Sequence, residues 1–375
     1  MNILFHLGHP AHFHLFKNTI KLLQNDGNNV YILIKKKDIL EELLIESQLP
    51  YYNILPEGRK DNKIGLAIGQ FKQDLAVLKF AKSYKIDLML GTSVSIAHVG
   101  KLLRIPSIIF NEDDSDVVPF FSYLSYPFAD IILSPDGCRN NRWENKTIHY
   151  NSYHELAYLH PNNFVPNLGI VNKYLASSET YFILRFSGLN AHHDKGISGI
   201  NTKLANELIA ILKPHGKVVI NSERILEKEF EEYRLSINPL DMHHLLAYAK
   251  IYIGDSQTMA AEAGVLGVPF LRFNDFVGKI TYLDELENVY KLGYGFKTNE
   301  EELLKSKLSK IINKDNLEEE WRTKREDMLN DKVDFTEYTF SFISYIKKEM
   351  MTCNKLKFKN IKFSYNEINS QECTV

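Results

Sequence analysis

The clearest structural pattern in the chain lies at residues 251–270, which have the sequence IYIGDSQTMAAEAGVLGVPF. The first four residues predict a buried strand that ends at Gly254, and residues 255–258 predict a turn with a helix N-cap. The small residues that follow predict a helix, which Gly267 ends before Pro269 opens the next strand. Strand, helix and strand in this order are typical of α/β proteins with parallel sheets.

The start of that predicted helix has the features of an anion site. Its first turn combines unpaired backbone N–H donors with the positive end of the helix dipole. We expect a diphosphate to contact Asp255, Ser256, Gln257 and Thr258. Glu262 lies one turn further along the same face, where a carboxylate can accept from the two hydroxyls of a ribose. The alternative is that Ser256 and Thr258 only cap a buried helix and that Glu262 is a solvated surface acid.

The same alternation of apolar runs and amphipathic stretches continues on both sides of this segment. The first half of the chain predicts strands at 3–5, 30–34, 86–90, 107–110 and 131–133, with helices at 13–24, 37–46, 75–83 and 96–103. The second half predicts strands at 181–186, 217–220, 251–253 and 269–273, with helices at 200–213, 242–249, 258–266, 301–313 and 317–329. An aromatic-rich helix is predicted at 334–350.

This order predicts two α/β domains of similar size, which agrees with a length of 375 residues. Pro161 and Pro166 interrupt the pattern and indicate a linker. We assign residues 1–165 to an N-terminal Rossmann-like domain and 166–350 to a C-terminal nucleotide-binding domain. The last helix is free to pack back on the first domain, and 351–375 form a basic and apolar tail. A cleft between two such domains is the default place for a ligand.

Composition restricts the partners and the compartment. The chain has 45 Lys and Arg against 47 Asp and Glu, a formal net charge of -2, so no overall positive field attracts nucleic acid. The cysteines, Cys138, Cys353 and Cys373, form no CxxC pair. They therefore support neither a disulfide framework nor a zinc cluster, and a reducing cytoplasm fits best.

No segment predicts a membrane span or a secretory signal. The N-terminus lacks a basic region followed by an apolar run, and the most apolar stretch, 117–133, is interrupted by Pro119, Pro127 and Asp130. The tail alternates lysines with apolar residues, which is compatible with an edge strand, a disordered tail or a weak contact to anionic lipid. We expect a cytoplasmic protein and leave open a contact at the inner face of the membrane.

Three histidines lie at the junction of the first predicted strand and the first predicted helix. His9, His12 and His14 follow the carboxyl end of a parallel strand, where open α/β sheets place ligands. A zinc site on His12 and His14 needs a third ligand that is not supported, so no metal is expected. His12 or His14 can instead donate a hydrogen bond to a ligand or act as a general base near neutral pH.

An acidic run, NEDDSD at 111–116, follows another predicted strand. Four acids in so short a segment repel each other, so most of them must be solvated. Glu112 is the best candidate for a base that deprotonates an acceptor hydroxyl, and Asp114 is a further candidate. The alternative is a hydrated acidic loop without a catalytic role.

Two further groups lie in the second half of the chain. In the segment RFSGLNAHHD at 185–194, Arg185 or the backbone at Ser187 can contact phosphate. His243 and His244 are adjacent, so they point about 100° apart on a helix and cannot both serve one site. We expect these two histidines at a surface or an interface.

Residues 251–270 resemble the nucleotide-sugar-binding segment of GT-B glycosyltransferases and of UDP-N-acetylglucosamine 2-epimerases. In that segment Asp-Ser-Gly-Gly, with a glutamate one helix turn further on, holds the diphosphate and the ribose. Asp255 and Ser256 match, Gln257 and Thr258 replace the two glycines, and Glu262 falls at the glutamate. The Cβ atoms at the two replaced glycines restrict how closely a phosphate can approach.

The chain also resembles an uncharacterised prokaryotic family related to these enzymes, over residues 1–345. The loop GHPAH at 8–12, the segment YNSYHELAYLHP at 150–161 and residues 255–258 carry this resemblance. It implies an α/β, GT-B-like fold of two Rossmann-like domains facing across a cleft, with the donor on the second domain and the acceptor on the first. The sugar or acceptor side is assigned to His9, Asp114, Tyr153 and His154.

The activity implied is glycosyl transfer from a nucleotide-activated donor, with UDP as the expected nucleotide, to a surface-polysaccharide or lipid-linked saccharide acceptor. Glu112, His12 or His14 would act as the base, and the N–H groups of 256–258 would stabilise the departing diphosphate. A helix terminus can take that role without a metal, so we expect no cofactor. The alternatives are an enzyme like the 2-epimerases and a non-catalytic nucleotide-sugar-binding protein.

Overall fold

A computed structural model describes residues 1–36, 39–58, 63–176, 179–188, 199–352, 363 and 365. The chain divides into two compact units, and each has its own parallel sheet. Unit 1 comprises residues 1–158 and 333–375, and unit 2 comprises residues 159–332. The change of unit therefore falls a few residues before the predicted boundary at 165–166, and the last helix belongs to unit 1.

All strands of the described residues are parallel to their neighbours. Those of unit 1 are β1 (Asn2–Leu7), β2 (Asn29–Lys35), β3 (Tyr52–Leu55), β4 (Leu88–Gly91), β5 (Ser107–Phe110), β6 (Ile131–Pro135) and β7 (Thr147–Tyr150), in the order β3-β2-β1-β4-β5-β6-β7. Those of unit 2 are β8 (Tyr181–Phe186), β9 (Lys217–Ser222), β10 (Ile251–Gly254), β11 (Phe270–Phe273) and β12 (Gly293–Phe296), in the order β12-β11-β10-β8-β9.

Helices connect the strands and cover the sheets. They are α1 (Pro10–Asn25), α2 (Leu40–Glu46), α3 (Lys63–Ser83), α4 (Val94–Leu103), α5 (Pro119–Ser125), α6 (Leu156–Leu159), α7 (Leu168–Val171), α8 (Thr202–Leu212), α9 (Met242–Tyr248), α10 (Gln257–Val265), α11 (Thr281–Asn288), α12 (Glu301–Ile312), α13 (Leu317–Asp331) and α14 (Phe335–Thr352). Short 3-10 helices occupy Asn141–Lys146, Lys213–His215, Lys228–Tyr233 and Pro239–Asp241. No helix of the described residues has both the length and the apolar character needed to cross a membrane.

Strand β1 lies inside the unit 1 sheet, between β2 and β4, and is buried on both faces. Ile3, Leu4 and Phe5 expose no surface, as expected for an apolar strand of a parallel sheet. Ile3 is in register with Val30 of β2 and with Leu88 of β4. The carboxyl ends of these strands therefore open at one edge of the sheet, where the loop to α1 begins.

The predicted strands are all present, and three further strands were not predicted. These are β3, β7 and β12, each of which lies at the edge of its sheet. An edge strand has one neighbour and is partly exposed, so its sequence lacks the continuous apolar run that identifies a central parallel strand. The aromatic helix predicted at 334–350 is confirmed as α14, whereas most of the tail 351–375 lies outside the described residues, as do residues 37 and 38 of the helix predicted at 37–46.

Helix α14 completes the core of unit 1. Phe335 packs on Tyr150 with ring centroids 4.4 Å apart and on Phe110 with centroids 6.3 Å apart. The hydroxyl of Thr336 donates to the carbonyl of Ala157 at 2.6 Å. The last helix in the sequence is therefore part of the same packed core as the first strands.

A buried ion pair links β11 to α11 in unit 2, and it provides a test of this fold. Arg272 is fully buried, and its Nε lies 2.9 Å from Oε1 of Glu287. Burial raises the pKa of Glu287, although the Arg272 charge opposes that rise. We expect Glu287→Gln to lower the free energy of unfolding by about 3–5 kcal/mol, because it leaves the arginine charge buried without a counter-charge.

Urea denaturation followed by circular dichroism measures this effect. The matched control is Glu231→Gln, which breaks the exposed pair between Glu231 and Arg234 and should change the unfolding midpoint little. Equal shifts in the two variants would contradict a special role for the buried pair.

Candidate functional site

The site in unit 2 begins where β10 meets α10. Gly254 ends the strand in register with Arg185 of β8. A Cβ atom at Gly254 would lie 2.8 Å from the Arg185 Cβ and 2.5 Å from the Tyr252 hydroxyl, so the position admits only glycine without rearrangement. This close approach sets the start of α10 directly at the carboxyl edge of the sheet.

Ser256 caps α10, as the sequence predicts. Its backbone is extended, and its Oγ accepts from the Met259 N–H at 3.4 Å. Gln257 and Thr258 form the first turn, where backbone N–H groups have no acceptor within the helix. The helix is buried from Met259 to Val265, so the first turn is its most accessible part, and Glu262 within the buried stretch keeps 7% of its side chain exposed.

Asp255 organises the loops around this turn. Its side chain is fully buried, with Oδ1 accepting from the Ser187 N–H at 2.6 Å and Oδ2 accepting from the Ile200 N–H at 3.3 Å. Burial raises the pKa of Asp255, and the bond from the Ser187 N–H opposes that rise. The carboxylate holds the end of β8 and the start of α8 beside α10, which places Ser187 next to the predicted anion site.

Glu262 pairs with a histidine from the preceding helix. Its Oε1 lies 3.0 Å from Nε2 of His243, and each side chain is 7% exposed. The alternative interpretation of Glu262 as a solvated surface acid is therefore wrong, and His243 is buried rather than on the surface. His244 points elsewhere, accepting from the Asn167 N–H at 3.1 Å, which agrees with the divergence of adjacent helical side chains.

Arg185 lies at the carboxyl end of β8 and already has acidic and amide partners. Its guanidinium contacts the side chains of Asn221 and Glu223. Glu223 also accepts from the Gly188 N–H at 3.0 Å. A contact between Arg185 and phosphate stays a prediction, and residues 189–194 of the predicted segment lie outside the described part of the chain.

In unit 1 the three predicted histidines have different environments. His9 is exposed and caps α1, with Nδ1 accepting from the Ala11 N–H at 3.2 Å. His14 is buried, and its ring lies between those of Phe13 and Tyr158, with centroids 5.0 and 5.1 Å away. His14 thus turns into the packing around α1, whereas His9 stays at the edge of the sheet.

His12 is held as a neutral hydrogen-bond donor. Burial lowers the pKa of His12 well below its ordinary value, and the nearby charges of His9, Lys35 and His154 lower it further. Its Nδ1 accepts from the Gly8 N–H at 3.1 Å, so the neutral ring carries its proton on Nε2. Of the two predicted roles for His12, donation of a hydrogen bond fits this environment better than proton abstraction.

Glu112 and His154 meet at the ends of β5 and β7. Nδ1 of His154 lies 3.1 Å from Oε2 of Glu112, with side-chain exposures of 11% and 21%. Nε2 of His154, on the other side of the ring, is buried without a hydrogen-bond partner, as is the hydroxyl of Tyr150. Two residues that the sequence places in separate motifs, one as a base and the other on the acceptor side, therefore form one pair.

Asp113 is the residue of this cluster that sequence reasoning missed. Burial, together with the neighbouring Glu112 charge, raises the pKa of Asp113 to about 7, while His154 opposes that rise. A carboxyl group with such a pKa can give or take a proton near neutral pH. The signal in the sequence was its position directly after Glu112, but a run of four acids did not reveal which one has its pKa raised.

Two other predicted residues have structural partners. Asp114 is buried, and its Oδ1 accepts from the Arg139 backbone N–H at 2.9 Å and from the Arg139 Nε at 3.1 Å. Tyr153 is also buried, at 1% exposure, within the turn that leads to His154. The structure therefore brings Glu112, Asp113, His154 and His12 together, whereas Asp114 and His14 point into other packing.

Comparison with known proteins gives the fold class. No protein-family model matches the chain, and no curated protein matches it in sequence. Among solved structures, the S. aureus MnaA–UDP co-structure has a TM-score of 0.67 at 14% identity, covering 94% of this chain and 98% of that one. At such identity the similarity concerns the fold alone.

Two further structures extend this comparison. UDP-GlcNAc 2-epimerase from Neisseria meningitidis bound to UDP-GlcNAc has a TM-score of 0.62 at 14% identity, covering 93% of this chain and 99% of that one. The glycosyltransferase SsfS6 from Streptomyces sp. SF2575 has a TM-score of 0.57 at 14% identity, covering 92% and 99%. The chain has a GT-B fold of two Rossmann-like domains, as the sequence predicts.

The raised pKa of Asp113 predicts a pH-dependent gain of stability in Asp113→Asn. In the folded chain this carboxyl binds its proton up to a pKa of about 7, against 3.8 ordinarily, so wild-type stability falls as the pH rises between these values. The variant lacks this penalty. We expect it to be more stable than wild type at pH 8 by up to about 4 kcal/mol, with the difference vanishing near pH 4.

Urea midpoints measured from pH 4 to pH 8 test this prediction. Asp116→Asn removes the same charge from an exposed position of the same loop and serves as the control. A difference between Asp113→Asn and wild type that stays constant with pH would show that Asp113 is not held protonated by its surroundings.

Proposed function

We propose that the chain is a glycosyltransferase that binds a nucleotide-activated sugar, with UDP as the nucleotide, at the start of α10. The observation that carries this proposal is the junction of β10 and α10. There Gly254 brings the helix to the sheet edge, and the first-turn N–H groups of Gln257 and Thr258 have no acceptor within the helix. The MnaA and Neisseria structures, which share the fold, contain UDP and UDP-GlcNAc respectively.

The donor diphosphate binds at this helix terminus. Backbone N–H groups and the positive dipole end interact most strongly with the charge that develops on the leaving diphosphate, which lowers the barrier of the transfer. Ser187 is held beside the same turn by its bond to Asp255 and offers a further polar contact. Because the protein supplies this positive field itself, turnover is expected to survive chelation by EDTA.

Glu262 binds the ribose in this proposal. Its Oε1 is oriented by His243, so the second carboxylate oxygen can accept from a ribose hydroxyl. A carboxylate fixed by a buried partner loses little conformational entropy when a ligand binds.

The base lies in the acidic cluster of unit 1. Asp113, whose pKa is about 7, is now the best candidate to deprotonate the acceptor hydroxyl. The Glu112–His154 pair is the second candidate, with the buried His154 Nε2 as its reactive atom. His12 donates a hydrogen bond from Nε2 and does not act as the base. The acceptor in this proposal is a surface-polysaccharide or lipid-linked saccharide.

One observation favours a second candidate function, epimerisation at carbon 2 of a UDP-sugar. That reaction needs acid and base groups that remove and return a proton at carbon, and the unit 1 cluster offers several titratable side chains in Glu112, Asp113 and His154. A transferase needs only one base for the acceptor hydroxyl. The two functions therefore differ in the fate of a carbon-bound proton, which can be measured.

Nucleotide binding is tested by Glu262→Gln. This change removes the charge that strengthens hydrogen bonds from the ribose hydroxyls, so we expect the affinity for UDP to fall about tenfold to a hundredfold. Isothermal titration calorimetry with UDP measures the change. The control Glu302→Gln alters a glutamate of unit 2 whose side chain is 86% exposed and should leave the affinity unchanged. Equal affinities in wild type and Glu262→Gln would remove Glu262 from the site.

The reaction itself is tested by incubation with UDP-N-acetylglucosamine in deuterated water, with and without a saccharide acceptor. A transferase releases UDP in an acceptor-dependent manner and leaves carbon 2 undeuterated, and EDTA does not stop it. We expect Asp113→Asn to lower kcat by about 10²–10⁴ while UDP affinity stays near that of wild type. Deuterium at carbon 2 without UDP release would establish the epimerase instead. UDP binding without either change would indicate a binding protein.

A further inference from the structure

Three helices of unit 1 carry an exposed apolar surface that neither the fold nor the proposed site explains. Helix α4 packs against α3 on one side and against α5 on the other. On α3, Ile68, Phe71 and Leu75 follow each other at helical spacing and are 52%, 64% and 40% exposed. Leu102 of α4 is 68% exposed. We call the outer surface of these helices the α3–α5 face.

The largest contribution to this face comes from α5 and Phe128, which lie within the apolar stretch at 117–133 whose last residues form the buried strand β6. Phe120, Tyr123 and Leu124 of α5 are 80%, 57% and 48% exposed, and Phe128 just after the helix is 41% exposed. The stretch is too short and too interrupted by proline to span a bilayer. Exposed aromatic and aliphatic side chains on a surface helix, as on α5, are typical of segments that lie in a membrane interface.

Basic side chains predominate among the charges of the same face. Five basic side chains, Lys72, Lys79, Lys82, Lys101 and Arg104, are exposed on α3, on α4 or at the end of α4. Across the residue ranges of α3, α4 and α5 the sequence contains a single acidic residue, Asp74. The face is therefore positive on a chain whose formal net charge is -2.

Asp74 pairs inside this face with a histidine rather than with the five basic side chains. Its Oδ2 lies 2.8 Å from Nδ1 of His98, whose Nε2 lies 2.9 Å from the carbonyl oxygen of Leu124. Phe128 packs edge-on against the same imidazole with centroids 4.9 Å apart. One histidine thus connects α3, α4 and α5, so the exposed side chains are presented by a preformed surface.

We propose that the α3–α5 face docks on an anionic lipid surface, with the aromatic side chains in the headgroup region and the basic side chains on lipid phosphates. Charge argues for this occupant. Docking of two copies through the same face would bring five basic residues of each copy together, and like charges disfavour that contact. An anionic bilayer instead offers an apolar interior for the aromatic side chains and negative headgroups for the basic ones. The proposal goes beyond the proposed function and does not depend on it.

Flotation of the full chain with vesicles tests this proposal. We expect binding to vesicles that contain phosphatidylglycerol and phosphatidylcholine, weak binding to phosphatidylcholine alone, and release as the salt concentration rises. Phe120→Ser combined with Leu124→Ser should weaken binding about tenfold. Lys72→Glu combined with Lys101→Glu should also weaken it at least tenfold, since each basic residue contributes about fivefold.

Matched controls lie in unit 2. Ile225→Ser changes an apolar side chain that is 94% exposed, and Lys203→Glu reverses a charge that is 78% exposed. Both should bind vesicles like wild type, and thermal unfolding checks that all variants are folded. Vesicle binding that neither face variant alters would overturn the proposal. Sedimentation equilibrium without lipid gives a second way to overturn it. If the wild-type chain forms an oligomer that dissociates in the Phe120→Ser, Leu124→Ser double variant, the face joins copies of the chain instead.

Discussion

The parallel pairing of the strands is the constraint on which the rest of the structure depends. After each parallel strand the chain must return to the opposite end of the sheet before the next strand can start. Each connection therefore needs a crossover, usually a helix. The loops that precede those helices therefore collect at the carboxyl edge. This is why the caps of α1 and α10, His9 and Ser256, both lie at such an edge, each in its own unit. The chemistry of both candidate sites follows from this geometry.

Burial then determines what the side chains at these edges can do. Asp255 is fully buried yet has two backbone N–H donors, so its charge is used to hold loops in place. Asp113 lies beside the Glu112 carboxylate, and its pKa of about 7 makes it suited to moving a proton. Residues of the same type, each directly or nearly directly after a strand, thus acquire different properties: one holds loops in place, and the other has a pKa near neutrality.

The sequence was sufficient to predict the two parallel sheets and the cap at Ser256, because central strands and helix starts are marked by local patterns. The edge strands β3, β7 and β12 were missed, since a strand with one neighbour needs no continuous apolar run. The pair of Glu262 and His243 was missed for another reason. It depends on how α9 and α10 pack, and no local pattern encodes that contact. The proximity of His154 to Glu112 likewise requires the strand order.

The position of α14 has a consequence for synthesis of the chain. Ribosomes release the N-terminus first, so β1 to β7 emerge well before Phe335, which contacts Phe110 and Tyr150 in the finished core. Unit 2 is complete in sequence before α14 is made, and it can fold as a continuous segment while unit 1 still exposes the apolar surface that α14 will cover. The nascent protein therefore has a period in which its first domain is the unfinished one, and a chain truncated before residue 333 would keep that surface open to chaperones or to aggregation.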